Sequence, residues 1–209
     1  MSLPKVLAEG YWRFRRQHAP DKGRYQQLAE LGQAPSAMVI ACSDARVDVS
    51  AIFDAEAGQL FILRNVANLV PPYEPEGKYH GTSAAIEYAV LVLKVPHLIV
   101  LGHSRCGGVA AYRARIKDKV QDDSFIGRWL TMLDGLQAMD TDAAAFGRET
   151  AFELATIRSS LAHLRSFPVV QEREGAGLLT LHGLHFDLAS GSLIALDEEV
   201  GNFVALVEA

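Results

Sequence analysis

Ala37-Met38-Val39-Ile40-Ala41 is the stretch whose reading decides the fold. Five apolar residues without alternation are too few for a helix and read as a strand covered on both faces. Two more runs of the same kind follow, Gln59-Leu60-Phe61-Ile62-Leu63 and His97-Leu98-Ile99-Val100-Leu101, the last entered through Pro96 and left at Gly102. Between the second and third, residues 79–95 carry Ala84, Ala85, Ile86, Ala89, Val90, Val92 and Leu93. That spacing predicts a helix with a wide apolar face, long enough to cross over a sheet. Strand, long crossover and strand in succession are the pattern of a parallel sheet with helices on its faces.

Toward the N-terminus, Leu3, Val6, Leu7, Tyr11, Trp12 and Phe14 predict an amphipathic helix over 3–18 whose aromatic face needs a surface to pack on, such as a neighbouring subunit. A shorter helix over 22–31 ends at Gly32. Together they form a helical arm of about residues 1–32. Toward the C-terminus, helices are expected at 106–117, 124–138 and 142–166, the last stopping before Pro168. Leu178 to Asp187, Ser190-Gly191 and Leu193 to Leu196 read as strand, tight turn and strand, a hairpin at the sheet edge. The expected class is α/β: a mostly parallel central β-sheet flanked by α-helices, with an antiparallel C-terminal edge hairpin. There is no repeat, low-complexity segment or linker, and Pro71-Pro72-Tyr73-Glu74-Pro75 reads as a loop, so residues 1–209 are expected to form one domain.

Composition excludes several classes. With 49% hydrophobic and 22% charged residues the chain has the make-up of a packed protein and not of a disordered one. Twenty Lys+Arg against 25 Asp+Glu give a net charge of −5, which lacks the basic footprint of a nucleic-acid binder. No run approaches the ~20 apolar residues of a membrane span. Met1-Ser2-Leu3-Pro4-Lys5 leads into Tyr11, Trp12 and arginines instead of an export signal, so the expected location is the cytoplasm. Two cysteines are too few for a disulfide scaffold.

Those two cysteines are where the chemistry gathers. Cys42-Ser43-Asp44-Ala45-Arg46 follows the first strand, and Gly102-His103-Ser104-Arg105-Cys106-Gly107-Gly108 follows the third. Open α/β sheets carry their sites at the carboxyl ends of strands, and two such turns on adjacent parallel strands face one crevice. Two thiolates and an imidazole suit Zn²⁺, and three protein ligands leave a fourth position for catalysis. By spacing alone the same residues also fit a pair of inert buried thiols or a redox pair that closes to a disulfide.

The motif text resembles a known family. Cys42-Ser43-Asp44-Ala45-Arg46 and His103-Ser104-Arg105-Cys106-Gly107-Gly108 are similar to the two signatures of the β-class carbonic anhydrases, in their plant-like branch. Arg64-Asn65-Val66-Ala67-Asn68 and Gly81-Thr82-Ser83-Ala84-Ala85-Ile86-Glu87-Tyr88 look like that family too. The resemblance implies reversible hydration of carbon dioxide to bicarbonate, with Cys42, His103 and Cys106 as zinc ligands and a hydroxide on the zinc as nucleophile. It implies that Asp44 and Arg46 form a carboxylate–guanidinium pair. A bidentate arginine keeps such a carboxylate ionised and turned from the metal, free to accept the proton of the hydroxide.

The resemblance further implies that Gln33 bonds a substrate oxygen, that Phe61 and Tyr88 line the carbon dioxide pocket from a partner subunit, and that the Gly107 or Gly108 amide steadies bicarbonate. It implies a homodimer or a dimer of dimers. Another branch carries a regulatory bicarbonate pocket built on a tryptophan, an arginine and a tyrosine. Here the matching residues are Val39, Arg64 and Phe186, which lack the indole and phenol donors, so that pocket is expected to be absent and Arg64 to support structure. His18, His80, His97, His163, His182 and His185 are expected to be structural or exposed. Two alternatives stand beside hydration: hydrolysis of carbonyl sulfide or carbon disulfide on the same scaffold, and a zinc or redox sensor without turnover.

Overall fold

The computed structural model describes residues 3–18, 23–76, 80–119 and 121–206. Helices α1 (Lys5–Gln17) and α2 (Arg24–Leu31) precede strand β1 (Ala37–Cys42). The short helix α3 (Val49–Ile52) leads to β2 (Leu60–Asn65), then α4 (Gly81–Glu87), which continues as one wide turn through Tyr88–Val92, and β3 (His97–His103). After these come α5 (Gly107–Asp118), α6 (Phe125–Leu130), α7 (Asp140–Phe146), α8 (Arg148–Leu164) and α9 (Pro168–Gly175). Strands β4 (Thr180–Phe186), β5 (Leu193–Asp197) and β6 (Asn202–Ala205) close the described chain.

Six strands form one sheet in the order β2-β1-β3-β4-β5-β6. β1 lies between β2 and β3, parallel to both, β4 runs parallel to β3, and β5 and β6 are antiparallel. The sheet is therefore mostly parallel with an antiparallel C-terminal part, as expected. All six residues of β1 are buried, which is the physical content of its unbroken apolar run. β2 sits at the sheet edge and alternates between half-buried and exposed residues.

Several boundaries differ from expectation. The segment 124–138 is helical only through Leu130, followed by a tight turn at Thr131–Leu133, and Gly135 (φ 78°) takes a conformation that a helix does not use. The segment 142–166 is two helices, divided at Gly147 (φ 82°). Pro168 does not only end a helix. It starts α9, at a first-turn position where its missing N–H costs nothing. The C-terminal hairpin is not the edge of the sheet, because β6 pairs outside β5. Among the described residues no helix is long and apolar enough to cross a membrane.

Helix α8 is the element that fixes one face of the sheet. Its Leu154, Ile157, Leu161 and Leu164 are buried in the main core with Met38, Ile40, Leu98 and Val100. Ile157 fits over two glycines on neighbouring strands. A Cβ at Gly102 would lie 2.7 Å from Ile157 Cδ1, and one at Gly183 would lie 2.9 Å from Ile157 Cγ2 and 3.0 Å from Leu161 Cδ1. Gly183→Ala should therefore overpack this contact and destabilise the fold by about 1–3 kcal/mol. Urea unfolding of the two proteins measures it, and equal midpoints would show that α8 does not press on the sheet there.

Candidate metal centre

β1 and β3 are neighbours and end at Cys42 and His103. After His103 the chain turns through Ser104 and Arg105, then enters α5 with Cys106 as its N-terminal flanking residue. Arg105 holds φ 56°, a left-handed conformation unfavourable for a side chain with a Cβ, so the surrounding bonds must impose this turn. Ser104 supplies two of them: its N–H donates to Phe186 O at 2.9 Å, and its hydroxyl accepts from the Leu188 N–H at 2.9 Å. The outcome is a tripod. The side-chain donor atoms of Cys42, His103 and Cys106 all lie within 4.8 Å of one another, and the two sulfurs are 3.9 Å apart.

The imidazole shows what the tripod is suited to hold. His103 is buried, and its Nδ1 is 2.9 Å from Ser104 O, a bond it makes by donating a proton. That leaves the lone pair on Nε2, a buried atom with no hydrogen-bond partner. An orphaned imidazole nitrogen aimed beside two sulfurs is the donor set a thiophilic divalent ion takes, and the carbonyl bond on the far nitrogen orients the ring for it. The residues present fit a metal.

Backbone amides support the sulfurs. Asp44 and Ala67 N–H groups reach Cys42, and Gly108 and Val109 N–H groups at the start of α5 reach Cys106. Ala67 does so from φ 63°, and Asn68 follows at φ 49°. The Cys42 and Cys106 sulfurs are in hydrogen-bond contact, and this chiefly lowers Cys42 against the opposing effect of burial. The same contact, then burial, pushes Cys106 up. Burial draws His103 toward its neutral form, but the Cys42 sulfur, the Ser104 carbonyl and Asp44 outweigh it, and the net direction is up. A proton shared by this sulfur pair thus stands where a cation would, and metal uptake must expel it.

Asp44 and Arg46 flank the tripod. Arg46 Nε donates to Asp44 Oδ1 at 2.9 Å, its terminal nitrogen to Oδ2 at 2.6 Å, and its backbone N–H to Oδ1 at 3.0 Å. A further bond to Arg105 O at 3.1 Å ties this guanidinium to the second ligand turn. The Arg46 bonds hold the Asp44 carboxyl far below the usual carboxylate range, against a smaller opposing effect of burial. Asp44 Oδ2 is 3.9 Å from His103 Nε2. Arg64 clamps the first turn from β2, donating to Cys42 O at 2.9 Å and Asp44 O at 2.6 Å. Arg64 so engaged supports the first ligand turn, and Val39 is fully buried.

The remaining sequence candidates divide. Gly107 has open space where a Cβ would stand. A Cβ at Gly108 would meet Val66 Cγ1 at 2.9 Å and Ala67 Cβ at 3.0 Å, so its lack of a side chain is required by packing. Gln33, Phe61 and Tyr88 are not brought to the tripod within one chain. Gln33 is exposed in the connection that enters β1 at the end opposite Cys42. Phe61 pairs with Met38, four residues from Cys42 and about 13 Å along the strand. Its ring lies 5.9 Å from that of Tyr88, which is half exposed. Sequence reasoning passed over Glu153, whose carboxylate accepts from the Cys106 N–H at 3.1 Å. The signal was there: an acidic residue one helical turn before Ile157 on the buried face of α8.

Residues 37–193 match the family model described as carbonic anhydrase, three quarters of the chain. The chain belongs to the carbonic anhydrase family. A carbonic anhydrase of Pseudomonas aeruginosa is 35% identical over 206 residues, 97% of this chain and 91% of that one. Among solved structures, the β-carbonic anhydrase CcaA superposes with a TM-score of 0.81 at 30% identity, covering 98% of this chain and 92% of its own. Tetrameric β-carbonic anhydrases from Sordaria macrospora superpose with a TM-score of 0.71 at 26% identity, covering 97% and 96%. The chain is thus a β-class member of the family.

A metal on this tripod should shield both thiols. A thiol reagent is expected to leave the metal-loaded protein unmodified and, after chelation, to modify both cysteines. Equal labelling with and without chelator would show that the sulfurs do not hold the ion.

Proposed function

We propose that the chain is a zinc-dependent carbonic anhydrase, catalysing the reversible hydration of carbon dioxide to bicarbonate and a proton. The observation that carries this reading is the unpartnered His103 Nε2 beside two sulfurs, with a carboxylate locked 3.9 Å away. Cys42, His103 and Cys106 would hold the zinc; three donors are one fewer than a closed structural site uses. When bound, zinc supplies a Lewis acid that makes hydroxide available near neutral pH.

Asp44 and Arg46 do the orienting. Both carboxylate oxygens are occupied by the Arg46 fork, which keeps Asp44 ionised and withholds it from acting as a fourth ligand. An ionised carboxylate only accepts hydrogen bonds. Asp44 therefore selects a nucleophile that still carries a proton and turns its lone pair toward carbon dioxide. The fork holds the Asp44 pKa down, so the charge is present throughout the neutral range and is lost only in strong acid. Gly107 is the glycine at the start of α5 with open space beside it, and its amide is our candidate for steadying bicarbonate.

Gln33, Phe61 and Tyr88 are assigned to the substrate pocket of a second copy, which fits their distance from the tripod in their own chain. Self-association also accounts for the exposed apolar side chains of α1 (Val6, Leu7, Tyr11, Trp12) and of Leu3 before it, for Ile62 on edge strand β2, and for Tyr88, Leu91 and Val92 in the wide turn after α4. The related Sordaria proteins are tetramers. The minimal unit is a homodimer, able to pair again, and the two unbridged cysteines of each chain suit the cytoplasm.

Rapid-mixing hydration kinetics with metal analysis test this reading. Cys42→Ser should lose the metal. Asp44→Ala should keep it and lose about 10²–10³-fold in rate. Faster turnover of carbonyl sulfide than of carbon dioxide, or a metal-loaded protein that turns over neither, would contradict the proposal. Sedimentation should find no active monomer, and an active monomer at low concentration would refute the shared pocket.

A further inference from the structure

We infer that Glu153, tethered by His185, is the positioning residue that sets Cys106 as a metal ligand. The inference rests on the zinc reading of the tripod and concerns how the chain keeps the ion. Glu153 and His185 are both buried, and neither belongs to the ligand set or to the Asp44–Arg46 pair.

The geometry is specific. Glu153 Oε1 accepts the backbone N–H of Cys106 at 3.1 Å, and its Oε2 lies 3.0 Å from His185 Nε2, a bond the imidazole donates. Cys106 flanks α5 with extended dihedrals (φ −66°, ψ 120°), so its N–H lies outside the helix and has no helical partner. Its position follows a residue in the left-handed region, Arg105, which relaxes unless held. Ser104 is anchored to β4 before this point, and Gly108 and Val109 follow in α5. The amide of Cys106 itself is fixed by Glu153.

The topology places the carboxylate where it is needed. α8 crosses the sheet with Ile157 over Gly102 and Gly183. Glu153, one turn earlier, stands over the carboxyl ends of β3 and β4, beneath the ligand turn. His185 pairs with Gly102 across those strands, next to the His103 that ends β3. One helix contact therefore fixes the sheet, and the next fixes the turn that leaves it.

Stability alone does not explain the pair. A buried carboxylate is costly to desolvate, and well-packed apolar residues in place of both partners often serve the fold equally well or better. What an apolar residue fails to do is accept the Cys106 N–H. Partners that orient ligands are worth about 10–100-fold in metal affinity when removed.

The test is zinc affinity and zinc release into a chromogenic chelator, measured alongside the thermal stability of the metal-free protein. Glu153→Met should weaken zinc binding 10–100-fold and speed its release, and by leaving the Cys106 N–H and His185 without their acceptor it should also lower the melting temperature of the metal-free protein. Glu153→Gln keeps an oxygen for the Cys106 N–H and should restore affinity to within a few-fold. Wild-type affinity in the methionine variant, or equal loss in both variants, overturns the inference. Should the methionine variant fail to fold, His185→Phe decides: a loss of several-fold is expected, and unchanged affinity overturns it. A wild-type protein that takes up no zinc would instead overturn the reading of the tripod, and the inference with it.

Discussion

Two sulfurs 3.9 Å apart and a buried imidazole nitrogen with nothing to bond make an arrangement that is unfavourable as it stands. Unmet buried polar atoms cost more than the average hydrogen bond gains. Left to themselves, these side chains would rotate toward water or bury an apolar group in their place. The chain holds them because each is the last residue of a buried parallel strand, or one short turn beyond it. The register of β1 against β3 fixes Cys42 beside His103, and the left-handed Arg105 returns Cys106 to them. A bound cation would neutralise the sulfurs and take the lone pair, turning a local cost into a reason for the fold.

Arginines define what that cation can meet. Arg46 occupies both oxygens of Asp44 and also bonds Arg105 O, so one side chain holds the carboxylate and joins the two ligand turns. Arg64 binds the backbone on either side of Ser43 from the edge strand. Planar forks of this kind fix direction as well as charge. The carboxylate is therefore rigid, ionised and available only as an acceptor, the condition for choosing a protonated oxygen over other ligands.

The parts of this structure legible in the sequence are those governed by short-range patterns. β1, β3 and the ligand turns follow from apolar runs that end in Cys-Ser-Asp and Gly-His-Ser, because burial on both faces leaves few other readings. The division of 142–166 at Gly147 was not legible, since apolar spacing continues across it and only the positive φ reveals the break. β6 was missed because four residues, Asn202–Ala205, carry too little pattern to separate from a loop. Within the site, Cys42, His103, Cys106, Asp44 and Arg46 lie close in sequence to their strand ends. Glu153 meets Cys106 across 47 residues and His185 across 32, and such contacts exist only once α8 has packed on the sheet. Gln33, Phe61 and Tyr88 illustrate the opposite limit: motif spacing marks them, yet one chain keeps them away from the metal.

Anomalous diffraction at the zinc edge from crystals of the zinc-loaded protein near neutral pH tests the central claim most directly. One peak per chain is expected, bonded to Cys42 Sγ, His103 Nε2 and Cys106 Sγ, with Asp44 still held in the Arg46 fork and a non-protein oxygen completing the tetrahedron. A peak elsewhere, or an Asp44 that has left Arg46 to become the fourth ligand at that pH, would contradict it.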